Sequence, residues 1–181
     1  MPSPVGHSLM GYIIYLLHTT YSNTKKWQVF VFCLIVANIP DLDFLPGAII
    51  EDLRRFHHGI SHSITFSILF GLLIGYICYL KKIEQVKRAF TLGLTLYLSH
   101  ILLDYLVLSG GRGVPLFWPF FDNEYMISFV VFPYFDYMSP EGKIFGTLFS
   151  LYNLKTITIE ILLLIPLLTV AILIRHSKPR K

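Results

Sequence analysis

Charged side chains are scarce in this chain: Asp, Glu, Lys and Arg make up 14% of its 181 residues, against 54% that are hydrophobic. So low a share argues against an ordinary water-soluble fold. Cysteine is scarcer still. Cys33 and Cys78 each sit inside an apolar run with no metal-type spacing, so neither a disulfide framework nor a thiolate site is indicated, and both read as buried packing residues. Met1 to Leu9 holds no Lys or Arg and therefore lacks the charged-then-apolar order of a cleavable signal peptide; the first apolar run is expected to stay in the mature protein. There is no Gly-x-Ser-x-Gly elbow, no phosphate-cradling loop and no His-Glu-x-x-His, which leaves acyl-serine, nucleotide-driven and zincin chemistry without support. Internal repeats, low-complexity tracts and domain linkers are also lacking, so residues 1–181 are expected to form a single domain.

What the chain does have is apolar runs. Ile60 to Leu80 and Ala89 to Leu108 are long enough to cross a hydrocarbon core of ~30 Å at ~1.5 Å per residue. Ile157 to Ile174 is slightly short and carries Pro166, which predicts a kinked span. Ser8 to Thr20 and Trp27 to Ile39 are shorter, either tilted spans or helices embedded partway. The predicted fold is an all-α polytopic bundle of about five membrane-embedded helices, with a long aromatic-rich outer loop over Ser109 to Thr156.

The net charge of +4 could suggest nucleic acid, but the basic residues lie in short segments between apolar runs, so no nucleic-acid partner is expected. In a five-span arrangement Lys25, Lys26, Lys81, Lys82, Lys87, Arg88, Arg175, Lys178, Arg180 and Lys181 fall on one side. They are ten of the fifteen basic residues, and the only acid among them is Glu84. Cytoplasmic segments collect such charge. The expected topology is a multi-pass protein of the cell (inner) membrane, N-terminus out and C-terminus cytoplasmic.

The same arrangement brings the chain's conspicuous polar residues toward the outer ends of the helices. His7 precedes the first run, and Asp41 and Asp43 follow the second. His57, His58 and His62 enter the third, while His100 and Asp104 lie four apart in the fourth and share a helical face. Individually, His7 reads equally well as an interfacial residue, and the Pro40-Asp41-Leu42-Asp43 turn as a helix terminator. His100 with Asp104 is different, because an ionisable group inside a span costs about 2.5–3.5 kcal/mol and usually marks a functional cavity. Imidazoles and carboxylates without thiolates suit divalent zinc, manganese or iron. Seven or eight such groups exceed the needs of one tetrahedral ion. Two ions about 3.5–4 Å apart would use them, an arrangement typical of phosphoester hydrolysis.

Five motifs in order carry a resemblance: Gly6-His7, Pro40-Asp41-Leu42-Asp43, His57-His58-Gly59-Ile60-Ser61-His62-Ser63, Leu98-Ser99-His100-Ile101-Leu102-Leu103-Asp104, and Gly113-Val114-Pro115-Leu116-Phe117-Trp118-Pro119. Together they resemble the YdjM-type family of membrane-bound metal-dependent hydrolases, from the N-terminus to about Pro119. A fainter similarity connects them with the zinc-dependent phospholipase C and P1 nuclease group of phosphodiesterases. The family's histidine motif resembles His-Arg-Gly-x-Thr-His-Ser, so His57 and His62 correspond to its histidines and His58 stands where Arg is usual. Helical spacing alone would instead pair His58 with His62.

The resemblance implies a metal-dependent phosphohydrolase of the outer face, with His7, Asp41, Asp43, His57, His62, His100 and Asp104 as ligands. In that reading His58 and Arg112 handle phosphate, Arg112 because a guanidinium pairs bidentately with an anionic headgroup. The expected partners are the lipid bilayer and a lipid-phosphate substrate. The aromatics of Phe117 to Phe121 and Phe129 to Tyr137 read as an interfacial belt, or as a groove for a lipid-like substrate. Two rivals remain at this point: a transporter or channel, and a metal-stabilised protein without turnover. Transport predicts polar residues continuing inward, and Leu92 to Leu98 offers only Thr95 and Tyr97.

Overall fold

The structure, a computed structural model, describes residues 1–18, 26–50, 55–107, 113–129, 131–136 and 144–177. Those residues form seven α-helices: α1 (Pro4–His18), α2 (Lys26–Val36), α3 (Phe44–Ile49), α4 (Ile64–Leu80), α5 (Val86–Tyr105), α6 (Ile144–Leu148) and α7 (Leu151–Ser177). Two 3-10 turns, η1 (Ile39–Asp43) and η2 (Ile60–His62), precede α3 and α4. Extended pairing among the described residues is limited to the isolated bridges Val107–Phe132 and Val114–Tyr125. The fold is thus all-helical, as the apolar runs predict.

Helix boundaries depart from those runs for local reasons. α2 ends at Val36 rather than Ile39, because Pro40 has no N–H to return to the Val36 carbonyl; the chain bends by 48° into η1 and α3. α4 begins at Ile64, four residues late. Ser63 is extended (φ −115°, ψ 154°), and its Oγ accepts the Phe66 N–H at 3.2 Å, so it caps the helix and leaves Ile60–His62 as a separate turn. α7 runs 27 residues, through Pro166.

Among the described residues, only α7 is long and apolar enough to cross a membrane alone. α2 with η1–α3 adds a second crossing if that bent pair is one span. α4 is apolar but has 17 residues. Helix length therefore establishes fewer than the five expected spans.

α4 and α5 pack as a tight antiparallel pair. A Cβ on Gly71 would lie 3.0 Å from the Leu94 Cβ and 3.1 Å from the Phe90 carbonyl oxygen, so a small residue is needed at this crossing. α1 packs against α2, α5 and α7. It runs parallel to α7, since Ser3 meets Glu160 at one end and the Arg175 guanidinium lies 5.2 Å over the Tyr15 ring at the other. Ile13, Ile14, Leu16, Cys33, Val36, Leu96, Leu103 and Leu164 fill the interior between these helices. Cys33 is fully buried there, whereas Cys78 is only half-buried on α4.

This alternation gathers the start of α1, the end of α2, the start of α4 and the end of α5 at one end of the bundle. Lys26, Lys81, Lys82, Lys87, Arg88 and Arg175 stand at the other end.

Candidate metal centre

Four side-chain atoms converge at the gathered end: Asp41 Oδ1 from η1, His62 Nε2 from η2, and His100 Nε2 and Asp104 Oδ2 from α5. All four residues are buried. The Asp104 oxygen lies 3.0 Å from the His100 nitrogen and 3.2 Å from that of His62, and the two nitrogens are 3.3 Å apart. The Asp41 oxygen is 3.4 Å from His100 and 3.7 Å from His62. A tetrahedral ion with bonds of ~2.0–2.1 Å holds its ligand atoms ~3.3–3.4 Å apart, and these five spacings lie on either side of that edge length.

Each imidazole is turned so that its free lone pair faces the group. His100 Nδ1 donates to the Ala37 carbonyl oxygen at 2.8 Å, which places the proton of the neutral imidazole there and leaves the Nε2 lone pair for the group. His62 Nδ1 lies 3.1 Å from both Asp43 Oδ2 and the Ser61 hydroxyl oxygen, with the same consequence. Asp43 is in turn held by the Ser61 hydroxyl at 2.8 Å and the Gly59 N–H at 3.3 Å. The Tyr97 hydroxyl donates to the Ser61 carbonyl and fastens η2 to α5. Oriented outer partners of this kind are typical of metal-binding histidines.

The carboxylates supply the test of fit. Asp41 Oδ1 and both oxygens of Asp104 are buried with no aligned hydrogen-bond donor. Unpaired buried carboxylate oxygens are costly. Here their lone pairs and those of two imidazoles point at one spot, which a divalent cation would satisfy. The donor set of two nitrogens and two oxygens, without sulfur, suits zinc, manganese or iron.

Of the seven expected ligands, Asp41, His62, His100 and Asp104 are thus close enough to share one ion; the other three stand around them. His7 stacks on His100 with ring centroids 3.8 Å apart, and its Nε2 lies 3.5 Å from Asp104 Oδ1. Asp43 sits behind His62, and His57 Nδ1 is held by Asp43 Oδ1 at 2.9 Å. His58 takes the opposite direction. Its φ of 57° is in the left-handed region, uncommon for a residue with a Cβ, and this turn sends its Nε2 inward, 4.0 Å from Asp104 Oδ2. That nitrogen is buried without a hydrogen-bond partner. Burial pushes the His58 imidazole down to about 3, against the opposing pull of Asp104, so the ring is neutral and keeps a lone pair. The two histidines therefore do not form the helical i, i+4 arrangement that spacing alone favours for His58 and His62. Arg112 lies outside the described residues.

The Gly113 to Pro119 motif packs over the entrance of α4. The Ile64 N–H donates to the Leu116 carbonyl at 2.9 Å, and the Thr65 hydroxyl to that of Trp118 at 2.6 Å. Phe117, Phe120, Phe121 and Phe129 are exposed around it.

One residue escaped the reading of the sequence. Glu160, fully buried on α7, accepts the Ser3 N–H on Oε1 at 2.7 Å and the Ser3 hydroxyl on Oε2. The signal was available: it is an acid inside the fifth apolar run, where such groups are expensive.

No curated protein and no solved structure matches the chain. The family model for the YdjM inner membrane protein does match, over residues 1–178, and so takes in α7 as well as the five motifs. On a match of that extent, the chain belongs to the YdjM inner membrane protein family.

Proposed function

We propose that the chain is a membrane-bound metal-dependent hydrolase that cleaves a phosphoester of a lipid-linked or other anionic phosphate. The observation that carries this reading is the four-atom group of Asp41, His62, His100 and Asp104. A divalent ion there would supply Lewis acidity toward a phosphoryl oxygen and toward water. The protein's own part is to hold that ion and exclude competing donors. His7 and His58, with bare nitrogens beside Asp104, offer ligands for a second ion or a contact to phosphate. The multi-metal phosphodiesterases supply a chemical analogy for such a pair and nothing more.

We read the chain as crossing the membrane five times, through α1, α2 with η1–α3, α4, α5 and α7, with the centre on the outer face. Two facts support this: most of the basic residues gather at the opposite end of the bundle, and α1 and α7 run in parallel as the first and fifth spans must. The exposed phenylalanines beside the centre suit an interface where a lipid headgroup is presented.

A second reading, a metal-stabilised protein without turnover, is favoured by one feature. Four protein ligands close a tetrahedral site, and closed sites are usually structural. Transport is disfavoured, because the Tyr97 hydroxyl is spent on Ser61 and the Thr95 hydroxyl on its own helix, so no polar path continues along α5. The decisive experiment measures bound metal and hydrolysis of bis(p-nitrophenyl) phosphate on one detergent-purified sample, beside Asp104→Ala. Metal with turnover, both lost in the variant, supports the hydrolase. Metal without turnover on this or lipid phosphodiesters supports the second reading, and no metal sinks both.

A further inference from the structure

From the geometry around Ser3 we infer that Glu160 is a positioning residue for the metal centre: from α7 it fixes the start of α1 and so holds His7 against His100 and Asp104. The inference rests on the proposed metal centre for its purpose, but not for its geometry.

Glu160 spends both carboxylate oxygens on Ser3. Ser3 is the residue before the first turn of α1, and its hydroxyl oxygen accepts the Gly6 N–H at 3.1 Å, the usual way a serine caps a helix. The His7 N–H donates to the Ser3 carbonyl at 3.1 Å. The cap therefore sets both where α1 begins and how it is rotated, and His7 lies in its first turns. Gly6 completes the contact. A Cβ there would lie 2.8 Å from Glu160 Oε2, so the glycine leaves room for the carboxylate. The Gly6-His7 motif is then one device: the glycine admits the acid that aims the histidine. His7 itself has no hydrogen bond on either ring nitrogen, and its side chain is met by the stack on His100 and the 3.5 Å approach of Nε2 to Asp104 Oδ1. With no hydrogen bond to fix the ring, its position depends on the backbone.

The test uses the full-length protein in detergent with two readouts. The first is carbethoxylation of individual histidines by diethyl pyrocarbonate, read by mass spectrometry, which needs no metal. Glu160→Ala should make His7 reactive while His62 and His100 stay protected, and Glu160→Gln, whose amide oxygen still accepts from Ser3, should restore most of the protection. If His7 stays protected in Glu160→Ala, or if all three histidines become reactive together, the inference is overturned. Should Glu160→Ala not fold, Ser3→Ala removes only the cap and must expose His7 in the same way.

The second readout is cobalt(II) titration of wild type, His7→Ala, Glu160→Ala and the double variant. Each single change should weaken binding by about 10- to 100-fold, as loss of outer support does elsewhere. The double variant should be no weaker than His7→Ala alone, because Glu160 acts through His7. Additive losses would overturn that route. A wild-type protein that binds no cobalt would reject the metal reading, yet the carbethoxylation pattern would still decide whether Glu160 positions His7.

Discussion

Asp43 and His62 meet on the side of the imidazole that faces away from the other three converging atoms, Oδ2 to Nδ1 at 3.1 Å. That contact gives the two acids of one short turn different work. Asp41 offers an unpaired oxygen to the centre, and Asp43 orients the histidine that shares it. Asp43→Ala should therefore weaken zinc binding by about 10- to 100-fold without abolishing it. Asp43→Asn, which still presents a carbonyl to Nδ1–H, should cost less, and Asp104→Ala should remove the ion. Competition against a chromogenic chelator measures all three. Complete loss in Asp43→Ala would make Asp43 a direct ligand.

The unpaired oxygens of Asp41 and Asp104 also tie stability to the ion. Without a cation, two buried carboxylates crowd together with little solvent to separate their charge, so chelation should lower the melting temperature in detergent. His100→Ala should melt at the same temperature with or without chelator. His18→Ala and His176→Ala should keep the wild-type difference, because both residues close helices at the far end of the bundle. A wild-type melting temperature that ignores chelator, with no metal by elemental analysis, would remove the centre altogether.

The pattern of what the sequence revealed follows from how far each contact reaches. His100 and Asp104 were legible because spacing of four on an apolar helix is a local signal and ionisable groups inside such a run are expensive. Asp41 and Asp43 were legible as a pair but not in their separate roles. Residues two apart in a 3-10 turn point about 120° away from each other, and which one faces inward depends on how η1 is set against α5. The directions of His57 and His58 depend on a single positive φ, which side-chain spacing does not reveal. The partner of Glu160 is 157 residues away, so no window on the sequence could join them. The helices themselves followed the apolar runs but not all of their ends: Pro40 and the Ser63 cap moved two of them, and α1 and α7 begin at Pro4 and Leu151, ahead of the apolar runs that open at Ser8 and Ile157.

Topology is open to a direct check. A reporter fused after Lys181 should be cytoplasmic, and one inserted beside Asn123 should be exported, because the positively charged turns define the inner side. Both reporters on the same side would reject five crossings. The parallel run of α1 and α7 would then need an even number of crossings between their starts by another route.

Variants at His58 would separate the proposed handling of phosphate from the holding of metal. Its neighbour His57 is tied to Asp43, while its own Nε2 points inward with no partner and a lone pair to give. None of the four converging atoms belongs to it. His58→Arg should accordingly keep the ion at Asp41, His62, His100 and Asp104. It should retain or raise turnover of an anionic phosphodiester, since a permanent two-pronged donor replaces a neutral ring. His57→Ala should act through Asp43 instead. By freeing that carboxylate it loosens His62 and weakens metal binding, with turnover falling in step. The two assignments exchange under one result. If His58→Arg expels metal while His57→Ala stays fully loaded, residue 58 is a ligand, because arginine remains protonated and has no lone pair to offer. Metal-to-protein ratios for these two variants, measured on the samples used for turnover, decide between them.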